Sequence, residues 1–331
     1  MKIVFFGTPQ FAVPSLQALL SDPDFEVVAV VTQPDKRRGR GSQVLPSPIK
    51  TLALSHQLPV WQPARLKQDP ETLTQLQLTQ ADAFVVVAYG QILPPGVLAM
   101  PRWGCINVHG SLLPAYRGAA PIQWCLYHGD KETGITTMLM DEGMDTGAMV
   151  QKYLMPIPLA MNAQELGAIL ADRGAELLLE TLRLWPAGDL SPVSQDSTLA
   201  TYAPLITKEM YPLDWKRSAL ALHNQVRGFY PHSFTHYQGQ ALKVLATVPL
   251  GLGLTLGEPF EFLQSWQPAS PDWEALEPGT IVEVLKNQGP IVRTGQGFLL
   301  ISEGQLAGKR VQRGIDLVNG LRLQPGLSQL G

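Results

Sequence analysis

Apolar residues run without polar interruption at four places in the first third of the chain: "KIVFFG" (2–7), "FEVVAVVTQ" (25–33), "AFVVVAYG" (83–90) and "CINVH" (105–109). Runs of this kind, rich in Val, Ile and Phe and lacking alternation, predict strands buried on both faces, which means a parallel sheet covered by helices. The intervening segments "VPSLQALLS" (13–21), "SPIKTLALSHQ" (47–57) and "DPETLTQLQLTQ" (69–80) fit helices. Strand and helix in repeated alternation predict an α/β fold with an open, mostly parallel sheet. Such sheets bind ligands beyond the carboxyl ends of their strands, here Gly7-Thr8-Pro9, Ala88-Tyr89-Gly90 and Asn107-Val108-His109.

Further along, "GITTMLMDEGMDTGAMVQKYLMPI" (134–157) reads as two strands about a glycine-containing turn. A long helix follows: Asn162 with Glu165 three residues later forms a capping box, and "ELGAILADRGAELLLETLRLW" carries helical apolar spacing up to Trp185-Pro186. Residues 187–207, rich in Pro, Ser, Thr and Asp, lack periodicity and predict a linker. Beyond it, "ALKVLATV" (241–248), "GTIVEVL" (279–285), "GPIVRTG" (289–295) and "GFLLISEG" (297–304) are short strands parted by glycine turns, the texture of a small antiparallel barrel or sandwich. The expected organisation is a Rossmann-like domain over 1–186, a linker over 187–207 and a small β domain over 208–331, with 250–278 a long loop or insertion.

Composition changes this picture only a little. With 45% hydrophobic and 16% charged residues the chain is ordinary globular material, which sets aside wholesale disorder. The net charge of −3 divides into 14 basic against 18 acidic residues over 1–200 and 11 against 10 over 201–331. Neither part is a basic domain, so any nucleic-acid contact must come from a local patch. One exists: in "PDKRRGRG", Lys36, Arg37, Arg38 and Arg40 stand against Asp35 alone. Two cysteines, Cys105 and Cys125, fit a reducing compartment better than a secreted framework. The apolar start "MKIVFFGTPQ" is broken by Gly-Thr-Pro before a signal core forms, and no run approaches the ~20 residues of a membrane span. A cytoplasmic location is expected.

Candidate chemistry gathers in "CINVHGSLLPAYRGAAPIQW" (105–124). Asn107 and His109, two apart on a strand, project to the same side. Downstream, "MDEGMDTG" brings Asp141 and Asp145 around Gly143. An imidazole that relays a proton, a carboxamide that stabilises an oxyanion and a carboxylate that orients the imidazole suit acyl transfer to an amine. Other readings stay open on these residues alone. A lone strand-end histidine is often structural, Asp before Gly is common turn chemistry, and His109 with two Asp could hold a metal, although no H-E-x-x-H or C-x-x-C supports one. Gly7-Thr8-Pro9 lacks the further glycines of a dinucleotide loop. Cys105, deeper on the strand that carries Asn107, reads as packing.

Taken together and in order, "FFGTPQFAVPSL", "TQPDKRRGRG", "LPSPIK", "VVVAYGQILP", "GCINVHGSLLPAYRGAAPIQW" and "DEGMDTG" resemble the 10-formyltetrahydrofolate-dependent formyltransferases. "RGAAPI" and "TQPD" with a basic loop point to the branch that formylates methionyl-tRNA. The likeness covers most of residues 1–210 and thins afterwards, where "LDW", "GQALKV", "PGTI" and "AGKR" keep their order. The resemblance implies formyl transfer from 10-formyltetrahydrofolate to the α-amine of initiator methionyl-tRNA, with Asn107, His109 and Asp145 catalytic and residues 208–331 an OB-like β-barrel that contacts the tRNA. It implies a folate site formed by Ser111, Leu112, Leu113 and Pro114, by Ala88, Tyr89, Gly90 and Ile92, and by Asp141. Lys36, Arg37, Arg38 and Arg40 would meet the tRNA, no metal is implied, and a monomer is expected. Two stretches depart from the family's pattern, Ala115-Tyr116 and "FYPHSF" (229–234), and no binding role carries over to them. Alternatives are a formyltransferase for a sugar or small nucleotide amine, a non-catalytic folate or RNA-binding module, and a formate-releasing hydrolase.

Overall fold

A computed structural model of the chain describes residues 1–38, 43–251 and 253–331, leaving aside the side chains of Arg37, Arg38 and Gln43. The chain forms two compact units. The first comprises Met1–Pro121, Glu132–Met155 and Gly167–Leu205; the second comprises Ile122–Lys131, Pro156–Leu166 and Ile206–Gly331.

The first unit is built on a seven-stranded sheet in the order Met149–Pro156, Glu132–Leu139, Cys105–His109, Ala83–Val87, Lys2–Gly7, Glu26–Val31, Val60–Trp61. The uninterrupted apolar runs are its parallel centre: Ile3 pairs with Ala83 and with Val27, and Val86 with Asn107. All five residues of Ala83–Val87 and of Cys105–His109 are buried, as strands covered on both faces must be. Glu132–Leu139 joins antiparallel, with Asn107 opposite Met138 and His109 opposite Thr136. Helices Val13–Ser21, Pro48–Ser55 and Pro70–Leu78 connect the parallel strands. Two of these open on side-chain caps, Ser47 accepting from the Lys50 amide and Asp69 from the Thr72 amide, each followed by a proline at the first helical position. The helix Ala163–Ala187 opens on the predicted capping box: Asn162 Oδ1 accepts from the Glu165 amide, and Glu165 Oε2 from the Asn162 amide.

Strand order changes sense at Lys2–Gly7: the next strand of the chain, Glu26–Val31, lies on one side of it, and the later Ala83–Val87 on the other. A ligand crevice therefore belongs at the carboxyl ends of Lys2–Gly7 and Ala83–Val87. Gly7 is needed there for closeness. A Cβ on it would lie 2.7 Å from the Phe5 ring and 3.1 Å from the Val87 carbonyl.

The 187–207 stretch behaves differently from a free linker. It lies along the first unit as far as Leu205. Val193 bridges Met149, and Tyr202–Ala203 pairs in parallel with Arg117–Gly118. Its lack of periodicity is real, because its partners are isolated backbone groups rather than a helix or a long strand.

The second unit carries an antiparallel sheet in the order Phe234–Tyr237, Gln240–Leu250, Phe298–Leu306, Gly289–Arg293, Ile281–Leu285. Register shifts around Ala246 bend the long strand Gln240–Leu250. The expected barrel-like architecture is present as a curled sheet whose hydrogen-bonded path runs open from Phe234–Tyr237 to Ile281–Leu285. Helices Ala219–Gly228 and Gly314–Leu321 contribute Leu222, Val226 and Leu317 to a core shared with Trp215, Ile281, Val292, Leu299 and Ile301. Within 250–278 two single-turn helices, Glu261–Leu263 and Pro271–Ala275, carry Leu263, Trp266 and Trp273 onto Phe298 and Leu300.

The helix Ala219–Gly228 buries polar residues. His223 accepts or donates through Nδ1 with Thr247 Oγ1 at 3.0 Å, and its Nε2 lies 2.9 Å from the Leu159 carbonyl. Arg227 donates to Asn224 Oδ1 at 2.9 Å. Burial pushes the His223 imidazole down to about 4 and the Arg227 guanidinium down to about 10. No helix among the described residues is long and apolar enough to cross a membrane.

Candidate active site

Asn107 and His109 stand side by side at the end of Cys105–His109, where the strand's pleat turns both the same way. The Asn107 carboxamide is 8% exposed and makes no hydrogen bond to any described residue. Its polar atoms are not among the buried side-chain atoms that lack a partner, so the amide opens to the surface at the ligand end of the sheet, where a group from outside the protein can meet it.

His109 is held at one ring nitrogen and faces a carboxylate at the other. Nε2 lies 2.9 Å from the Tyr116 carbonyl, and Nδ1 lies 3.6 Å from Asp145 Oδ2. A carbonyl only accepts, so Nε2 carries the proton of that contact. Nδ1 is then the ring atom left without that bond, and it faces the Asp145 carboxylate. Asp145 Oδ2 also accepts from the Gly118 amide at 2.8 Å. The backbone here is unusual: Asp145 and Tyr116, which are not glycines, have φ of 54° and 60°. Left-handed non-glycine residues clustered at a strand end are what a site built against local preference contains. Gly118, at φ 117°, brings its amide to Asp145 while passing so close to the 203 carbonyl that a Cβ would sit 2.9 Å from it.

The Ser111–Pro114 turn is anchored by the neighbouring strands. Ser111 Oγ donates to the Ala115 carbonyl at 2.6 Å, and Thr136 Oγ1 donates to the Ser111 carbonyl while accepting from the Leu113 amide. Lys152 Nζ donates to the Leu113 carbonyl, and partial burial lowers the ammonium's pKa. Leu113 is buried, and Leu112 and Pro114 are half-buried. At the adjacent strand end Ala88, at φ 49°, and Gly90, at φ 85°, leave the regular backbone, and Ile92 is 80% exposed. Tyr89 turns the other way. Its ring packs edge-on against Phe6 in the core, its carbonyl accepts from Thr8 Oγ1 and Gln33 Nε2, and its buried hydroxyl has no partner among the described residues. Asp141 closes its own turn, accepting from the Gly143 amide and from Thr146 Oγ1.

The basic loop starts from a buttress. Asp35 accepts from Lys50 Nζ at 2.6 Å and from Gln62 Nε2 at 2.8 Å, and these contacts hold its carboxyl below the usual carboxylate range. Lys50 also reaches Gln62 Oε1. The acid that offset the loop's charge in the sequence is thus paired with Lys50, outside the loop. Lys36–Arg38 pairs antiparallel with Gln43–Leu45, and Lys36 is exposed. Arg40 lies outside the described residues.

Asn107, His109 and Asp145 are therefore together, the 111–114 turn and the 88–92 strand end are at the same end of the sheet, and Asp141 supports the Asp145 turn. Sequence reasoning missed the groups that hold His109 and Asp145: the Tyr116 carbonyl, the Gly118 amide, and Thr201, whose Oγ1 and carbonyl take the amides of Tyr116 and Arg117. It also missed Gln195, which bonds Arg117 and the carbonyls of Asp145 and Gly147. None of these lies in a periodic segment, and backbone donors leave no residue-type signal.

Residues 1–182 match the family described as formyl transferase, and residues 205–322 match that described as formyl transferase, C-terminal domain. The methionyl-tRNA formyltransferase of Gloeothece citriformis (strain PCC 7424) is 59% identical over 331 residues, covering 98% of each chain. That of Synechococcus elongatus (strain ATCC 33912 / PCC 7942 / FACHB-805) is 60% identical over 330 residues, covering 100% of each. Among solved structures, the sugar 3N-formyl transferase WlaRD, crystallised with dTDP and 5-N-formyl-THF, aligns with a TM-score of 0.63 at 18% identity, covering 94% of this chain and 99% of its own. HypX from Aquifex aeolicus, in complex with tetrahydrofolic acid, aligns with a TM-score of 0.62 at 15% identity, covering 98% of this chain and 48% of its own. At such identities these two neighbours establish the fold alone.

Proposed function

The chain belongs to the methionyl-tRNA formyltransferase family, and from that premise we propose that Asn107, His109 and Asp145 transfer the formyl group of 10-formyltetrahydrofolate to its acceptor. It is a formyl-transferring enzyme that acts on the methionine of initiator tRNA. A folate serves as co-substrate.

The observation that carries the site assignment is the open Asn107 carboxamide beside a histidine fixed at Nε2 and facing the Asp145 carboxylate through Nδ1. As the methionyl α-amine attacks the formyl carbon, negative charge gathers on the formyl oxygen. An Asn107 N–H aimed at that oxygen stabilises it without reorganisation, because the amide surrenders no internal partner. The amine must lose a proton and the folate nitrogen must gain one as the carbon–nitrogen bond breaks. His109 Nδ1 holds that proton in transit, with Asp145 Oδ2 stabilising the imidazolium. No covalent enzyme intermediate is needed, which agrees with Cys105 being buried and its thiol pushed up to about 12 by that burial.

The backbone at Ala88 and Gly90, the Tyr89 amide, Ile92 and the buttressed Ser111, Leu112, Leu113 and Pro114 turn form the folate subsite in this reading, with Asp141 shaping its rim. Lys36, Arg37, Arg38 and Arg40 meet the phosphates at the tRNA acceptor end. The enzyme is a cytoplasmic monomer in which 1–186 carries the chemistry and 208–331 contacts tRNA.

The test is formyl transfer from 10-formyltetrahydrofolate to charged initiator methionyl-tRNA, run beside charged elongator methionyl-tRNA. Transfer to the initiator alone supports substrate, donor and specificity together. No transfer to either, with formyl-folate still bound, overturns the assignment of the acceptor.

A further inference from the structure

We infer that Gln195, from the stretch after the long helix, is a positioning residue for formyl transfer, locking the turn that presents Asp145 to His109. The inference rests on the proposed role of Asp145.

All four hydrogen-bonding positions of the Gln195 carboxamide are used. Oε1 accepts from Arg117 Nε at 3.0 Å and from Arg117 Nη2 at 2.8 Å. Nε2 donates to the Asp145 carbonyl at 2.7 Å and to the Gly147 carbonyl at 2.8 Å. Arg117 is 2% exposed, and its guanidinium has no other side-chain partner among the described residues. Opposite a buried cation, electrostatics alone favours a carboxylate. A neutral amide stands there instead, and the two things it has that glutamate lacks are the N–H groups pointed at the Asp145 turn. The choice of residue type is thus explained by the turn, not by the arginine.

The turn needs holding. Asp145 has φ of 54°, and Gly147 is so close to the 139 carbonyl that a Cβ would lie 1.8 Å from it. Gln195 fixes the backbone of Asp145, and the Gly118 amide fixes its carboxylate. Both clamps return to one segment, because Gly118 follows Arg117, and the carbonyl of Tyr116 before it receives His109 Nε2. Histidine, carboxylate and their supports therefore form a closed ring, and Gln195 is the side chain that ties the Asp145 backbone into it.

Four variants test this in the full-length enzyme: Gln195→Glu, Gln195→Ala, Asp145→Asn, and Gln195→Glu combined with Asp145→Asn. Gln195→Glu keeps and strengthens the Arg117 pairing but sets an oxygen against two carbonyls. It is expected to lower kcat by about 10- to 100-fold, as small misplacements of catalytic groups do, with KM for both substrates within about twofold. In the Asp145→Asn background the same change is expected to cost nothing more, since it acts through Asp145. A Gln195→Glu enzyme with near-parental kcat, losses that multiply in the double variant, or a loss confined to KM would each overturn the inference while Asp145 stands. Full activity in Asp145→Asn would instead sink the underlying reading, and this inference with it. If Gln195→Glu does not fold, Gln195→Ala decides: a cooperative melt with parental kcat overturns the positioning role, and a cooperative melt with reduced kcat supports it.

Discussion

Replacing Asn107 by Ala separates catalysis from folding more cleanly than any other change at this site. The carboxamide has no partner among the described residues, so its removal breaks no hydrogen bond between them. The strand's pairings, Val86 on one side and Met138 on the other, are backbone bonds that alanine keeps. The cost to stability is then on the order of 1 kcal/mol or less, a shift of about 2–4 °C in Tm for a unit of this size. The cost to the reaction is that of one oxyanion donor, about 10²–10³ in kcat or about 2.7–4 kcal/mol of transition-state stabilisation. Single-turnover formyl transfer onto charged initiator methionyl-tRNA at saturating formyl-folate measures this step directly, and a calorimetric scan measures the fold. Asn107→Asp adds a second arm, keeping the shape but replacing the donor with an oxygen; it is expected to lose at least as much. Turnover within a few-fold of the parent, in either variant, would refute the idea that this amide stabilises the developing charge. A large fall in Tm would refute the view that its partner lies outside the protein.

Three further outcomes are expected. Gly118→Ala places a Cβ 2.9 Å from the 203 carbonyl at φ 117°, so it should destabilise the protein by about 1–3 kcal/mol and depress kcat through Asp145, as read by thermal melts and transfer rates. His223 is held neutral, with its folded value near 4 against 6.5 for the free side chain, so the unfolded chain takes up a proton that the fold refuses. The stability this confers is complete above about pH 6.5 and lost as pH falls toward 4, about 3 kcal/mol in all; His223→Gln should flatten the fall in Tm over that interval. Replacing Lys36, Arg37 and Arg38 with Ser should reduce the slope of log affinity for tRNA against log salt by about 0.7 for each phosphate left without its cation. An unchanged slope would place the tRNA elsewhere.

Much of this is legible in the residues. Strands such as Ala83–Val87 announce themselves because burial on both faces forbids polar residues. Asn107 and His109 stand out because they end such a strand with groups that have no business in a core. Asp145 is less distinctive on its own, since Asp before a glycine-rich turn is common, and its place comes from the resemblance. The edge strand Val60–Trp61 is two residues long, too short for any period to show. The helix Ala219–Gly228 hides for the opposite reason: its buried face carries His223, Asn224, Gln225 and Arg227, so polarity and burial do not separate along it. Gln195 sits in a stretch whose composition reads as a tether, and only the folded chain shows it reaching Asp145. The charge of the basic loop can be counted, but not that Asp35 is taken up by Lys50, fifteen residues on.

The way the chain is shared between its two units bears on how it is made. Segments Ile122–Lys131 and Pro156–Leu166 belong to the second unit, although the rest of that unit begins only at Ile206. They rest on the helix Ala219–Gly228: Tyr127 stacks on Phe229, which follows that helix, His223 meets the Leu159 carbonyl, and Arg227 meets that of Pro158. On the ribosome, both segments leave the exit tunnel well before their partners are synthesised. Nascent chains of intermediate length thus carry a nearly finished seven-stranded sheet together with unpaired pieces of the other unit. A truncated gene ending after Leu205 freezes that state, with Tyr127 left without the Phe229 ring it stacks on and the 158 and 159 carbonyls without Arg227 and His223. Such a fragment would be expected to need chaperones or to aggregate, even though it holds every residue assigned to the chemistry.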